Sequence, residues 1–131
     1  MVNKKFRFAV KGIVNKNGKY LVTKKSSIED VNPNTFDTIG GGVEFGETPE
    51  QALHREVLEE SNLKIKIIKP VNTWTFLVND NEQVMGVTFL CEYVSGEVEL
   101  SHEHSSYEWL TKEEVLEGNY PDWMKKEFSL I

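Results

Sequence analysis

The stretch GGGVEFGETPEQALHREVLEESNL, running from Gly40 to Leu63, decides how this chain is read. Thr48 is placed to cap a helix, and Pro49 fits the first helical position, where a missing N–H does no harm. Gln51, three residues after the cap, can complete a capping box. From there to Ser61 no residue breaks a helix, and Asn62 suits the left-handed position that ends one. Glu56, Glu59 and Glu60 stand at i, i+3 and i+4 on that helix, so their carboxylates emerge on one face.

Three like charges there repel unless a cation sits among them. A solvated acidic face is the ordinary fate of such a run. Ala52, Leu53 and Leu63 fall in the same sector, however, so the face that should pack inward also carries the acids. Buried carboxylates without a counter-charge are costly, and clustered hard oxygen ligands suit magnesium or manganese rather than zinc. The helical pattern leaves both readings open and favours a metal site.

The same residues carry a resemblance. Gly41, Glu47, Arg55, Glu56, Val57, Glu59, Glu60 and Leu63 fill, at the right spacing, the slots of the Nudix box. That box is a Gly, five residues, a Glu, seven residues, then Arg-Glu-aliphatic-x-Glu-Glu-x-Gly-aliphatic. Asn62 stands where the family has Gly, and Asn is the next most tolerant residue of positive φ. The chain is identified as a MutT-like member of the Nudix hydrolase family. The resemblance implies an α+β fold, the Nudix-type α/β/α sandwich with a mixed sheet between helices, as a single domain over 1–131. It implies magnesium, with manganese a possible substitute, held by Glu56, Glu59, Glu60 and the carbonyl of Gly40, the residue before the box Gly. Glu47 and Arg55 look like the family's structural ion pair, and Arg55 also counts with Lys25 among the substrate-side cations. Where relatives often carry Pro two residues before the box Gly, this chain has Ile39.

The 131 residues suffice for one domain with a real core, and 39% hydrophobic with 27% charged residues is ordinary for a soluble globular protein. No apolar run approaches the about 18 residues of a membrane span. The N-terminus reads as no secretory signal, and the lone Cys91 sits in an apolar run as a buried, inert thiol. These features predict a cytoplasmic protein. A net charge of -6 argues against a nucleic-acid polymer as partner, though divalent ions could bridge an acidic site to a small polyphosphate. No interface stripe separates a monomer from a homodimer.

Outward from the box, Phe6 to Val14 alternates as a strand, and Asn15-Lys16-Asn17-Gly18 predicts a hairpin turn. Tyr20 to Thr23 returns and delivers Lys24 and Lys25, exposed edge lysines or, for Lys25 as in many relatives, a phosphate contact. Ser26 to Thr35 reads as a polar loop with a turn at Asn32-Pro33-Asn34. Phe36 to Ile39 reads as a short strand, and Gly40, Gly41 and Gly42 as a sharp turn allowing close approach to a ligand. Glu44 reads as surface. Beyond the helix, Leu63 to Ile68 forms a strand, Pro70 interrupts, and Val71 to Val78 forms the next, with Trp74 and Phe76 on one face. Core packing is the favoured role for that aromatic pair, base stacking the alternative. Asn79-Asp80-Asn81 turns into a long central strand over Val84 to Val94, and Glu97 to Leu100 continues the alternation.

His102 and His104 flank Glu103, yet no third nitrogen or sulfur ligand suggests zinc. By resemblance to the diadenosine tetraphosphate hydrolase type, Glu103 is the loop carboxylate that reaches the metal site, so it competes with Glu56 for the role of general base. Thr111 to Glu114 forms a second capping box, with helix to about Glu117. Pro121 opens a terminal helix that packs Trp123 and Phe128 on the sheet. The function implied is a metal-dependent pyrophosphohydrolase acting on a nucleoside diphosphate linked to another group. Nucleoside triphosphates, normal or oxidised, come first; dinucleoside polyphosphates, or a non-catalytic nucleotide sensor, are the alternatives.

Overall fold

The hairpin signal holds. In the computed structural model, which describes residues 3–27 and 34–131, β1 (Lys5–Lys16) and β2 (Lys19–Lys25) meet at a turn with Asn17 and Gly18 at φ of 55° and 85°. The Gly18 N–H donates to the Asn15 side chain across the turn at 2.9 Å. There follow β3 (Phe36–Asp37), β4 (Ile39–Gly42), α1 (Pro49–Ser61), β5 (Lys64–Asn79), β6 (Glu82–Ser95), β7 (His104–Leu110), α2 (Lys112–Glu117) and α3 (Asp122–Ser129). The expected turn at Asn32-Pro33 lies outside the described residues. No described helix is long and apolar enough to cross a membrane.

The strands form one mixed sheet in the order β3-β2-β1-β6-β5, with β4 paired to β1 and β7 to β2. β1 and β6 run parallel over Lys5 to Asn15, with β6 inside the sheet as expected, and the other pairs are antiparallel. Only Asn15 and Lys16 of β1 pair with β2, while Ala9 to Gly12 pair with β4. One face of the sheet buries Val10, Val14, Ile39, Phe89 and Cys91 against Ala52, Leu53 and Val57 of α1. The other buries Ile13, Val22 and Leu110 against Val115 of α2 and Met124 and Phe128 of α3. This is the expected α/β/α sandwich, with both halves of the core supplied by period-2 strands and amphipathic helices.

Four expectations are corrected. Pro70 does not interrupt: β5 is continuous, because at the sheet edge the missing N–H falls between register shifts at 67–69 and 70–72. Residues 96–100 form no strand; the Glu99 and Ser101 N–H groups donate instead to the carbonyls of Ser61 and Glu60 at 3.0 Å each. The strand expected over 36–39 divides at Thr38, whose N–H is taken by the Asp37 carboxylate at 2.8 Å. The glycines 40–42 are strand rather than turn, and the positive-φ glycine of this loop is Gly46 at 91°.

Candidate active site

The site begins with how α1 is held at both ends. Thr48 Oγ1 accepts from the Gln51 N–H at 3.1 Å and the Gln51 side chain accepts from the Thr48 N–H at 2.9 Å, closing the predicted capping box. Asn62 adopts φ 64°, and its side-chain amide also donates to the Glu97 carbonyl at 3.2 Å, a bond that glycine could not make. The segment after Glu97 then lies along the last carbonyls of α1, groups that a helix leaves unsatisfied. That contact carries Glu103 and His104 to the face where Glu60 emerges.

Glu60 is 4% exposed, and its Oε2 lies 3.0 Å from His104 Nε2. Glu60, Glu103 and His104 place one ligand atom each within 4.8 Å of one another. Burial raises the Glu60 carboxyl above its ordinary range, partly offset by the His104 hydrogen bond and the Lys11 charge, while the charge of Glu103 adds to the rise. Glu56 is likewise raised by burial, against its hydrogen bond from Arg55 and with the charges of Glu59 and Glu103 behind it. The charge of Glu103 thus reaches both Glu56 and Glu60. Glu59 sits at the rim with its side chain 58% exposed and 3.3 Å from Arg55.

Gly41 explains why this corner takes no side chain: a Cβ there would stand 2.4 Å from the Glu56 carboxyl carbon. At Gly40 the obstacle is backbone, with the Val10 carbonyl 2.0 Å from the same added atom. Gly41 thus lets the backbone come close to an acid, where the sequence suggests close approach to a ligand.

Arg55 has five N–H donors, and all five are spent. Nε and Nη2 donate to Glu47 at 2.8 and 2.9 Å, Nη2 also to the Gly42 carbonyl at 3.0 Å, and Nη1 to Glu56 and Glu59 at 2.9 and 3.3 Å. The guanidinium is therefore a bracket between loop and helix, with nothing left over for a substrate. The same hydrogen bonds hold Glu47 down to about 2. Glu44 is surface as expected, its side chain 70% exposed at 3.8 Å from Arg55.

Beside the acids opens a cleft of about 990 Å³. Gly40 to Gly42, Glu60, Glu103 and His104 line one end, with Lys11 and Lys25 along it. Lys25 stands 3.8 Å from Asp37, and Lys11 donates to both Asp37 oxygens at 2.9 and 2.8 Å. Burial pulls the Lys11 ammonium down, and Asp37 together with the charges of Glu60 and Glu127 more than offsets it. Trp74 and Phe76 are not core. They stack on each other at 6.1 Å and 11° and line the opposite end, because β5 is the sheet edge and that face is left open as the cleft. Trp123, expected to pack on the sheet, stands 43% exposed at the cleft, while Phe128 is fully buried as expected.

The domain that holds this acidic corner has known relatives. The NUDIX domain family covers residues 5–130. The chain belongs to the Nudix hydrolase family. This Nudix domain is 33% identical to the nucleoside triphosphatase NudI of Enterobacter sp. (strain 638), over 79% of this chain and 80% of that one. It is 37% identical to the NAD-capped RNA hydrolase NudC of Mannheimia succiniciproducens over 94 residues, 70% of this chain, and spans only 32% of that relative's length. The crystal structure of a MutT protein from Methanosarcina mazei Go1 superposes with a TM-score of 0.84 at 25% identity, over 98% of this chain and 94% of that one.

Sequence reasoning missed His104, Lys11 and Asp37. In sequence the i, i+2 histidines suggest only zinc ligands, whereas His104 is the buried partner of a carboxylate. Lys11 sits in the middle of an ordinary strand alternation, and no motif marks it.

Proposed function

We propose that this Nudix domain is a divalent-metal-dependent pyrophosphohydrolase of nucleoside diphosphate derivatives, with nucleoside triphosphates, normal or oxidised, first among its substrates. The observation that carries the reading is the cluster of Glu60, Glu103 and His104 on a cleft with aromatic lining, with the Glu56 carboxyl against Gly41 of the same lining. The kinship with NudI, matched over four-fifths of its length, supports the triphosphate. The donor set fits a hard cation, since oxygens dominate it and such an ion would offset the burial, and behind it the Glu103 charge, that raise Glu56 and Glu60. Glu56, Glu60 and Glu103 would hold magnesium or manganese, with Glu59 at the rim and the Gly40 carbonyl beside them. When bound, the metal would offset phosphate charge and orient the attacking water.

The chain's own groups do the rest. His104 fixes the Glu60 carboxylate, much as hydrogen bonds orient metal-binding carboxylates in general. Arg55 fixes Glu56 through one oxygen and leaves the other to the site. Glu56 or Glu103 takes the proton of the water that attacks phosphorus, the anhydride oxygen leaves with pyrophosphate, and Lys25 faces the phosphates from the cleft wall.

The test is phosphate and pyrophosphate release from a panel of normal and oxidised triphosphates, dinucleoside polyphosphates, nucleotide sugars and ADP-ribose, with and without magnesium. Magnesium-dependent conversion of a triphosphate to monophosphate and pyrophosphate, lost by at least about a hundredfold in a folded Glu60→Gln variant, is the expected result. Turnover of no panel member by folded protein at neutral and alkaline pH would sink the enzyme reading.

A further inference from the structure

One apolar surface of the molecule belongs neither to its cores nor to its acidic corner. Val10 and Val87 lie side by side in β1 and β6 and pack into the core beneath α1. Side chains alternate along a strand, so the residues two and four places back on those strands point to the same face. They are Phe8 with Met85, then Phe6 with Gln83, and β5 adds Thr75 and Leu77 in register with Met85 and Gln83. The Thr75 hydroxyl lies 3.3 Å from Met85 Sδ and accepts from the Gln83 side-chain amide at 2.8 Å, so these three do share a face. The cover given by α1 ends short of this strip, and Phe6, Phe8 and Leu77 are each more than half exposed. The Val43 N–H donates to the Phe8 carbonyl at 2.7 Å, so the loop between β4 and α1 leaves the sheet beside the strip. That loop carries Phe45 fully exposed. Phe6 and Phe8 also border the cleft, but Leu77, Met85 and Phe45 do not line it.

Single exposed apolar side chains need no explanation, but five in one neighbourhood do. Together they leave about 600 Å² in water, the top of the range for a monomer's largest patch and near the about 800 Å² per partner of a stable interface. No side chain of the strip is charged. Its polar members are turned on one another, because Thr75 Oγ1 takes the Gln83 amide and donates to the Val84 carbonyl at 2.8 Å. Covering them therefore costs little. The rim says what does the covering. The Lys5 N–H donates to the Asn81 carbonyl at 2.9 Å, which sets Lys4 and Lys5 beside the turn that holds Asp80. A rim of both signs suits a two-fold axis, which turns the cations of one copy towards the acids of the other, whereas an anionic lipid surface selects cations alone. A net charge of -6 keeps copies apart elsewhere, so an uncharged strip is where they can meet.

We propose that this strip, with Phe45 at its margin, is the seat of a second copy of the chain, two molecules packing strip on strip about a two-fold axis. Each copy covers the part of the sheet face that α1 leaves open, as one sheet covers another in a sandwich. The assignment goes beyond the enzyme reading and does not rest on it.

Sedimentation equilibrium over a range of protein concentrations tests it. The mass should rise from that of one chain, 15.1 kDa, towards twice that value, with a dissociation constant of about 1–100 µM, as suits an interface at the small end of the scale. Leu77→Ser and Phe45→Ser each remove an exposed side chain outside the cleft, and each should raise that constant by about tenfold or more. Phe45 stands fully in solvent, so its variant keeps the test open even if Leu77→Ser fails to fold. A protein that stays monomeric up to about 1 mM overturns the proposal. So does a dimer that neither folded variant weakens, since its interface then lies elsewhere. Monomeric protein that co-sediments with phosphatidylserine vesicles, and loses that binding in Phe45→Ser, overturns it in favour of a lipid surface. Turnover of the nucleotide panel, or its absence, bears on none of these outcomes.

Discussion

At the scale of single residues, adjacent glycines make opposite predictions. A methyl group at Gly41 meets the flexible end of Glu56, whereas one at Gly40 meets the Val10 backbone. Gly41→Ala should keep the fold, with stability changed by no more than about 1 kcal/mol, and lose activity by about a hundredfold because Glu56 is displaced. Gly40→Ala should break the β1–β4 pairing and lower stability by about 3 kcal/mol or more, read as a shift in thermal midpoint. If Gly41→Ala retains full turnover, Glu56 is not needed where it stands. His104→Ala removes the partner of Glu60 and should weaken the response to magnesium by about 10- to 100-fold, measured as the metal concentration for half-maximal rate. The box acids and their partner Arg55 were legible because spacing on a helix fixes which side chains share a face. Lys11 and Asp37 were not, because they come from β1 and β3 and meet only once the sheet is assembled.

At the scale of elements, α1 was legible to the residue at both ends because caps act through neighbours in sequence. Thr48→Ala should cost about 1 kcal/mol, as the loss of a hydroxyl cap generally does. Asn62 is a finer case. Asn62→Gly gains a residue at ease with φ 64° but loses the bond to Glu97, so stability should move by less than about 0.5 kcal/mol. Asn62→Ala loses on both counts and should cost about 1–2 kcal/mol by chemical denaturation. Were the alanine variant as stable as the parent, the left-handed cap would not be holding the 96–103 segment against α1. The strands were less legible. Pro70 reads as a breaker in any sequence, and only the edge position of β5 and its register shifts make it harmless. The apolar–polar alternation of 97–100 reads as strand, and only the open carbonyls at the end of α1 divert those N–H groups.

At the scale of the whole molecule, the layer order and the two cores follow from periodicity, but the cleft does not, because a sheet face left uncovered has no signature in the strand that bears it. Trp74 and Phe76 alternate like core residues and are lining residues. Its acids make the protein's stability depend on pH in a direction that can be stated. Burial raises both Glu56 and Glu60 in the folded state. Between the ordinary carboxylate value and the raised ones, the folded chain therefore binds more protons than the unfolded chain, and metal-free protein should become more stable as pH falls from 8 into that window. Glu47 and Glu114, held below the ordinary carboxylate value, oppose this from about that ordinary value downward. Added magnesium should raise the thermal midpoint more at pH 8 than at pH 5, since protons and a metal ion would compete for the same buried carboxylates. A midpoint of metal-free protein that climbs with pH would refute the sign. The shifted register of β5 has one more effect, on how molecules of this protein meet. Unpaired strand edges recruit other strands, and this one is guarded by Pro70, by Lys64, Lys66 and Lys69, and by kinks that spoil a straight template. Pro70→Val with Lys69→Ile should leave each molecule folded yet make the solution cloud with time and concentration, so the proline expected to end a strand instead keeps the strand from growing into a neighbour.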